Sequence, residues 1–177
     1  MPDIPDCLPT GAPARPTLVI GLGNPLLGDD GVGWQVAEQV AYRLGQPHPR
    51  VEVDCLAVGG LSLMERLAGY PTAILIDALA TGRRPPGSLA CLPLEELADA
   101  DAGHLHSAHD ASLPVALRAG AALGIPLPQR VMVVGIEARS VYDFSERLSP
   151  PVAACVPLAV QTVLELLTQF DREENPR

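Results

Sequence analysis

One stretch constrains this chain more than any other: Thr17 to Gly33, reading TLVIGLGNPLLGDDGVG. The apolar run from Leu18 to Leu22 has the length of a buried strand. Glycines then permit a sharp turn, and Val32, Val36, Val40 and Leu44 recur at helical spacing within Gly31 to Leu44. Strand, loop and helix in that order open an α/β unit. Two adjacent carboxylates, Asp29 and Asp30, stand just before the helix.

Gly21-Leu22-Gly23 invites a dinucleotide-binding reading, in which glycines let a pyrophosphate approach the helix N-terminus. Two features argue against it. The spacing is G-x-G-x-x-x-x-G rather than G-x-G-x-x-G, and Asp29 and Asp30 put negative charge where phosphate would sit. A plainer reading makes one aspartate a helix cap, worth ~1 kcal/mol. One residue suffices for that, and a second carboxylate beside it adds repulsion unless a cation or a donor meets it.

The remainder of the chain repeats the alternation. Val51 to Val58 reads as a second strand, ended by Gly59 and Gly60, with Leu61, Met64, Leu67 and Ala68 on a helix that Pro71 stops. Ala73 to Leu79, AILIDAL, is a third strand carrying Asp77 near its C-terminal end. Ser88 to Leu92 is a short edge strand, and Leu94 to Ala98 one possible helical turn. Ala111 to Leu123 spaces as a helix, Arg130 to Glu137 as a fourth buried strand, and Val152 to Phe170 as a long amphipathic helix. Pro150 and Pro151 suit the start of that helix, and Pro157 should kink it.

This pattern predicts an α/β fold, a three-layer sandwich with a mostly parallel twisted sheet and helices on both faces, phosphorylase/hydrolase-like. The expected organisation is a flexible N-terminal tail over 1–16, a single α/β catalytic domain over 17–170 and a C-terminal tail over 171–177. In such sheets ligands bind beyond the C-terminal ends of the strands. Asp29 and Asp30, Gly59 and Gly60, Asp77 and Glu137 all follow or end strands, so one rim should collect them.

Composition removes several chemistries. The chain of 177 residues carries 12 basic against 21 acidic residues, a formal net charge of −9, which disfavours a polyanionic partner such as RNA. Every basic residue is Arg, so Schiff-base lysine chemistry and a P-loop lysine are excluded. Without a signal-peptide pattern or a long apolar run, a soluble cytoplasmic protein is expected, with no membrane partner. Cys7, Cys55, Cys91 and Cys155 show no C-x-x-C spacing and read as packing residues. Neither H-E-x-x-H nor G-x-S-x-G occurs.

A divalent metal site is one reading of the rim, beside a structural salt bridge from Asp77 to an Arg and an exposed polar loop for the histidines. Asp77 in an apolar strand is costly to bury unless it reaches the rim or a partner. His104, His106 and His109 lie together in HLHSAHD. A histidine with carboxylates at one rim suits Ni, Zn or similar ions, with positions left open for water or for a partner's groups.

LVIGLGNPLLGDDGVG, the Gly59-Gly60 turn, AILIDAL, Ser107-Ala108-His109, VVGIE and LSPPVAACVPLAVQTVLELL together resemble the hydrogenase maturation proteases. The likeness runs in order from about Thr17 to Leu167. It implies an endopeptidase, of the aspartic type, that removes the C-terminal extension of the nickel-iron hydrogenase large-subunit precursor after nickel insertion. The implied cofactor is nickel carried by the substrate, with Zn or Cd able to occupy the same position. The family's metal-binding and catalytic positions fall on Asp30, Asp77 and His109, the first being Asp where other members carry Glu. His104 and His106 are not required by the pattern. Two mechanisms stay open: the metal polarises the scissile carbonyl, or a carboxylate activates water. On this reading Asp30 is the rim residue and Asp29 the helix cap.

GLGNP also opens the peptidyl-tRNA hydrolases. Those enzymes continue with T-R-H-N and need a basic surface for tRNA; here the chain continues LLGDDGVG and is acidic. The other rival class is a non-cutting nickel- or nucleotide-binding module.

Overall fold

The computed structural model describes residues 16–45, 47–97, 112–139, 141–142 and 144–174. The expected N-terminal tail, Cys7 and the whole HLHSAHD cluster lie outside the described residues, the tail's last residue, Pro16, excepted.

Five strands form one sheet: β1 (Thr17–Leu22), β2 (Val51–Leu56), β3 (Thr72–Leu79), β4 (Leu89–Pro93) and β5 (Arg130–Glu137), in the order β2-β1-β3-β5-β4. β1 pairs in parallel with β2 and β3, and β3 with β5; the edge strand β4 runs antiparallel to β5. Among the described residues four α-helices cover the sheet: α1 (Val32–Leu44), α2 (Gly60–Leu67), α3 (Leu113–Ala122) and α4 (Pro150–Glu174).

Side chains alternate across a strand, and here each alternation has its own core. On one face Val19, Ile74, Ile76, Val134 and Ile136 pack with α1 and α4. On the other, Leu18, Ile20, Leu75, Val131 and Val133 pack with α2 and α3. A strand buried on both faces reads as a continuous apolar run, which is why AILIDAL has no polar alternation. The expected three-layer fold is therefore observed.

Helix phases follow the same logic. Val32, Val36 and Val40 of α1 are fully buried, as their spacing requires. In α2 the phase differs from the expectation. The helix begins at Gly60, so Leu63, Met64 and Leu67 face the core and Leu61 is 45% exposed. α4 runs unbroken through Pro157, which lies on its exposed side where the carbonyl released at Ala153 meets water. It also continues past Phe170, and Arg50 pairs with Asp171 at 2.9 Å and Arg130 with Glu173 at 2.5 Å. By length and hydropathy α4 passes as a membrane span, but Val152, Val156, Val160, Val163 and Leu167 lie in the core against the sheet.

Two glycines set how closely α1 approaches. A Cβ on Gly21 would overlap the Gly33 carbonyl, and one on Gly33 would lie 2.5 Å from the Ile76 carbonyl. The glycines of the opening motif thus let helix backbone touch strand backbone, a packing role in place of a phosphate cradle. Of the cysteines, Cys155 is buried, Cys55 half-buried and Cys91 exposed, all three as free thiols. The expectation of core packing fails for Cys91, because it lies on the edge strand β4.

Candidate active site

The strand order places β2 on one side of β1 and β3 on the other, so the chain reverses direction across the sheet between β1 and β3. A crevice opens at the C-terminal ends of strands at such a point. Asp30 and Asp77 both lie there.

Asp30 is supplied by a 3-10 turn, Gly28–Gly31, between β1 and α1. The loop leading to it bends at Gly23, whose φ of +119° and whose missing Cβ, which would overlap the Asp30 carbonyl, both require glycine. Asn24 then organises the turn. Its backbone N–H donates to Asp30 Oδ2 at 2.7 Å, and its side-chain oxygen accepts the Leu26 N–H at 3.0 Å. Asp30 is 4% exposed.

Asp77 is fully buried on β3, level with Gly135 of β5. It follows Ile76, the residue whose carbonyl meets Gly33 of α1. The start of α1 is therefore pressed against β3 immediately beside Asp77, and the turn bearing Asp30 touches the same strand. The fold brings these two predicted residues to the same end of the sheet, at the switch point between β1 and β3.

Asp29 has a different task from the one expected. No side-chain capping bond forms at α1. Instead Asp29 is fully buried and accepts the Ser149 N–H at 2.6 Å, the Ser149 hydroxyl at 2.9 Å and the Arg139 N–H at 3.3 Å. Ser149 immediately precedes α4, so the carboxylate also faces that helix's positive end. Asp29 clamps the turn carrying Asp30 to the loop after β5. That loop is further tied by Gly28 N–H to Ser145 O at 2.6 Å and Ser145 N–H to Leu26 O at 3.0 Å.

Glu137, expected at the rim, is there and 3% exposed. Its carboxylate accepts the Thr81 hydroxyl at 2.8 Å and the Gly82 N–H at 2.7 Å, fixing the path of the chain just beyond β3. It is a positioning residue for the turn that follows Asp77.

His109 lies outside the described residues, as do His104 and His106. Leu94 and Leu113, which flank them in sequence, are both buried in the core on the α2 and α3 side. Among the described residues no three His, Cys, Asp or Glu side chains converge as a metal site. Asp30 and Asp77 are the two expected metal-binding residues that lie among the described residues.

Asn24, Ser149 and Thr81 were missed as site-building residues. Asn24-Pro25 is a turn-forming dipeptide, and Ser149 before Pro150 is a helix-start signal, so both left a trace in the sequence. Thr81 left none.

Fold and site define an α/β enzyme domain with buried carboxylates gathered at the switch point of its sheet. The chain belongs to the hydrogenase maturation protease family: the family model described as HycI, hydrogenase maturation protease, matches residues 35–166. It is 29% identical over 160 residues to the hydrogenase 2 maturation protease of Escherichia coli K12, covering 90% of this chain and 95% of that one. It is 27% identical over 165 residues to the hydrogenase expression/formation protein HupD of Rhizobium leguminosarum, covering 92% and 79%. The structure of the hydrogenase maturating endopeptidase HybD from E. coli superposes with a TM-score of 0.71 at 28% identity, covering 88% and 94%. The chain is accordingly a hydrogenase maturation endopeptidase.

Proposed function

We propose that this endopeptidase removes the C-terminal extension of a nickel-iron hydrogenase large-subunit precursor once nickel has been inserted, and that it recognises the nickel held by that substrate. Asp30, Asp77 and His109 are the residues assigned to grip it. The observation that supports this reading is the convergence of Asp30 and Asp77, both almost wholly buried, on the crevice between β1 and β3.

A pair of carboxylates in a low-dielectric crevice is a poor site for a neutral peptide and a good one for a cation. Held there, the substrate's metal would bring the scissile peptide bond beside the same side chains. Catalysis then follows either of two routes: the metal draws electron density from the scissile carbonyl, or one carboxylate takes a proton from the attacking water. In both, the Asn24 and Gly23 loop holds Asp30, and Glu137 holds the turn beyond Asp77. Metal content serves as the checkpoint, since a precursor without nickel offers nothing to grip. We place the reaction in the cytoplasm, consistent with free thiols at Cys55, Cys91 and Cys155.

The test is substitution. Asp30→Asn, Asp77→Asn and His109→Ala should each lower processing of a nickel-loaded precursor by about 100-fold or more while the far-UV circular dichroism spectrum is retained. Normal cleavage by His109→Ala would remove the metal-sensing reading.

A further inference from the structure

A second cavity opens at the same rim, on the side of the sheet covered by α2 and α3. It has a volume of about 150 Å³; Leu79, Ala90, Leu92 and Leu97 form its apolar walls, and Ser88 and Glu96 also line it. Glu137 reaches it, but both carboxylate oxygens are engaged by Thr81 and Gly82. Arg83 and Arg84 stand at its mouth, Arg84 exposed to solvent.

Register relates this cavity to the catalytic crevice. Asp77 and Leu79 are two residues apart on β3, so their side chains share one face and lie about 7 Å apart along the strand. Ala90 pairs with Gly135, which is itself level with Asp77, and Leu92 pairs with Val133 on that same face. An extended peptide repeats its side chains on one side at about the same 7 Å interval. A chain whose scissile bond lies at Asp77 can therefore put a side chain two residues away into this cavity.

Size and charge define that side chain. A space of about 150 Å³ holds a group the size of benzene, and its four aliphatic walls suit an aliphatic one. The apolar part of its lining is aliphatic; the Ser88 hydroxyl donates to the Pro85 carbonyl at 2.7 Å, and Glu96 is exposed to solvent. Glu96 and Glu137 balance Arg83 and Arg84 in formal charge, but Arg84 is exposed and makes no ion pair or hydrogen bond with the described residues, which leaves its guanidinium available to a carboxylate.

Resting on the proposed function, we propose that this cavity is a substrate subsite of the protease. It takes an aliphatic side chain of the precursor two residues from the cleaved bond, with Arg84 meeting a carboxylate that neighbours it. Fit at this subsite, together with the metal, decides which precursor is cut.

The test uses the full chain and a nickel-loaded hydrogenase large-subunit precursor. Ala90→Leu, which fills the cavity, should lower kcat/KM roughly 10- to 100-fold. Shortening to alanine the precursor's aliphatic residue two positions from the cut should restore most of that loss. Arg84→Glu should lower kcat/KM at low ionic strength, with the deficit shrinking as salt is raised. Should Ala90→Leu melt early, Ala90→Val and the surface change Arg84→Glu carry the test. Wild-type cleavage accompanied by undiminished cleavage in these variants overturns the subsite alone, as does an Ala90→Leu defect that no shortened precursor relieves. Failure of the wild type to cut the loaded precursor overturns the proposed function and the subsite with it.

Discussion

Asp29 and Asp30 are neighbours in sequence with opposite duties, and substituting each separates them. Asp29→Ala removes a buried carboxylate that accepts three hydrogen bonds from Ser149 and Arg139, joining the turn before α1 to the start of α4. Hydrogen bonds to a charged acceptor contribute about 1.5–3 kcal/mol each, and losses within one cluster do not add fully. A loss of about 3–5 kcal/mol is expected, because three bonds to the fully buried Asp29 carboxylate are lost at once, while Ser149 is half-buried and Arg139 exposed. For a chain of this size each kcal/mol moves the midpoint by about 2–4 °C, so Tm should fall by roughly 10 °C or more. Asp30→Asn keeps the shape and an oxygen for the Asn24 N–H, so its cost should stay near ~1 kcal/mol while cleavage is lost. Thermal and urea unfolding followed by circular dichroism, with unchanged m-values, measures both. An Asp29→Ala protein that melts within ~2 °C of wild type would refute the clamp.

Gly23→Ala forces a side chain into positive φ and against the Asp30 carbonyl, costing about 1–3 kcal/mol, and should reduce cleavage far more than its melting shift suggests. Leu63→Ala, at a fully buried position of α2, should cost about 2–5 kcal/mol, whereas Leu61→Ala on the exposed side should stay within about 0.5 kcal/mol by urea titration. The Cys55 thiol is pushed up to about 11 by burial and by the charges of Glu38 and Asp54. Its folded pKa lies above the unfolded one, so the stability it contributes is complete below about pH 9 and is lost as pH rises toward 11. Cys55→Ala should flatten that part of the stability profile by at most ~2 kcal/mol, since the group is half exposed. Alkylation of Cys55 by iodoacetamide in the native protein should likewise show its midpoint near pH 11.

The sheet was legible because its strands are short apolar runs and its helices carry stripes at 3.6-residue spacing; β5 was predicted residue for residue. What the sequence withheld depends on contacts distant in the chain. Asp29 reads as a cap because caps are local, yet its partners lie 110 and 120 residues away. Leu61 spaces with Met64 and Leu67 in the sequence, but the start of α2 at Gly60, which sets the helix phase, leaves it exposed. Cys91 resembles a core residue in sequence, but the antiparallel edge position of β4 leaves it in solvent. Asp30 and Asp77 were legible for the opposite reason: a charge beside a glycine turn and a charge inside an apolar strand are each hard to explain locally, and the switch point between β1 and β3 gives both a common place.

The central claim is that metal in the substrate licenses the cut. Wild-type protein and Asp30→Asn should be incubated with the same large-subunit precursor, nickel-loaded and nickel-free, and the product masses read by mass spectrometry. The account predicts loss of the C-terminal extension only for wild type with the loaded precursor. Equal shortening of the nickel-free precursor would contradict it.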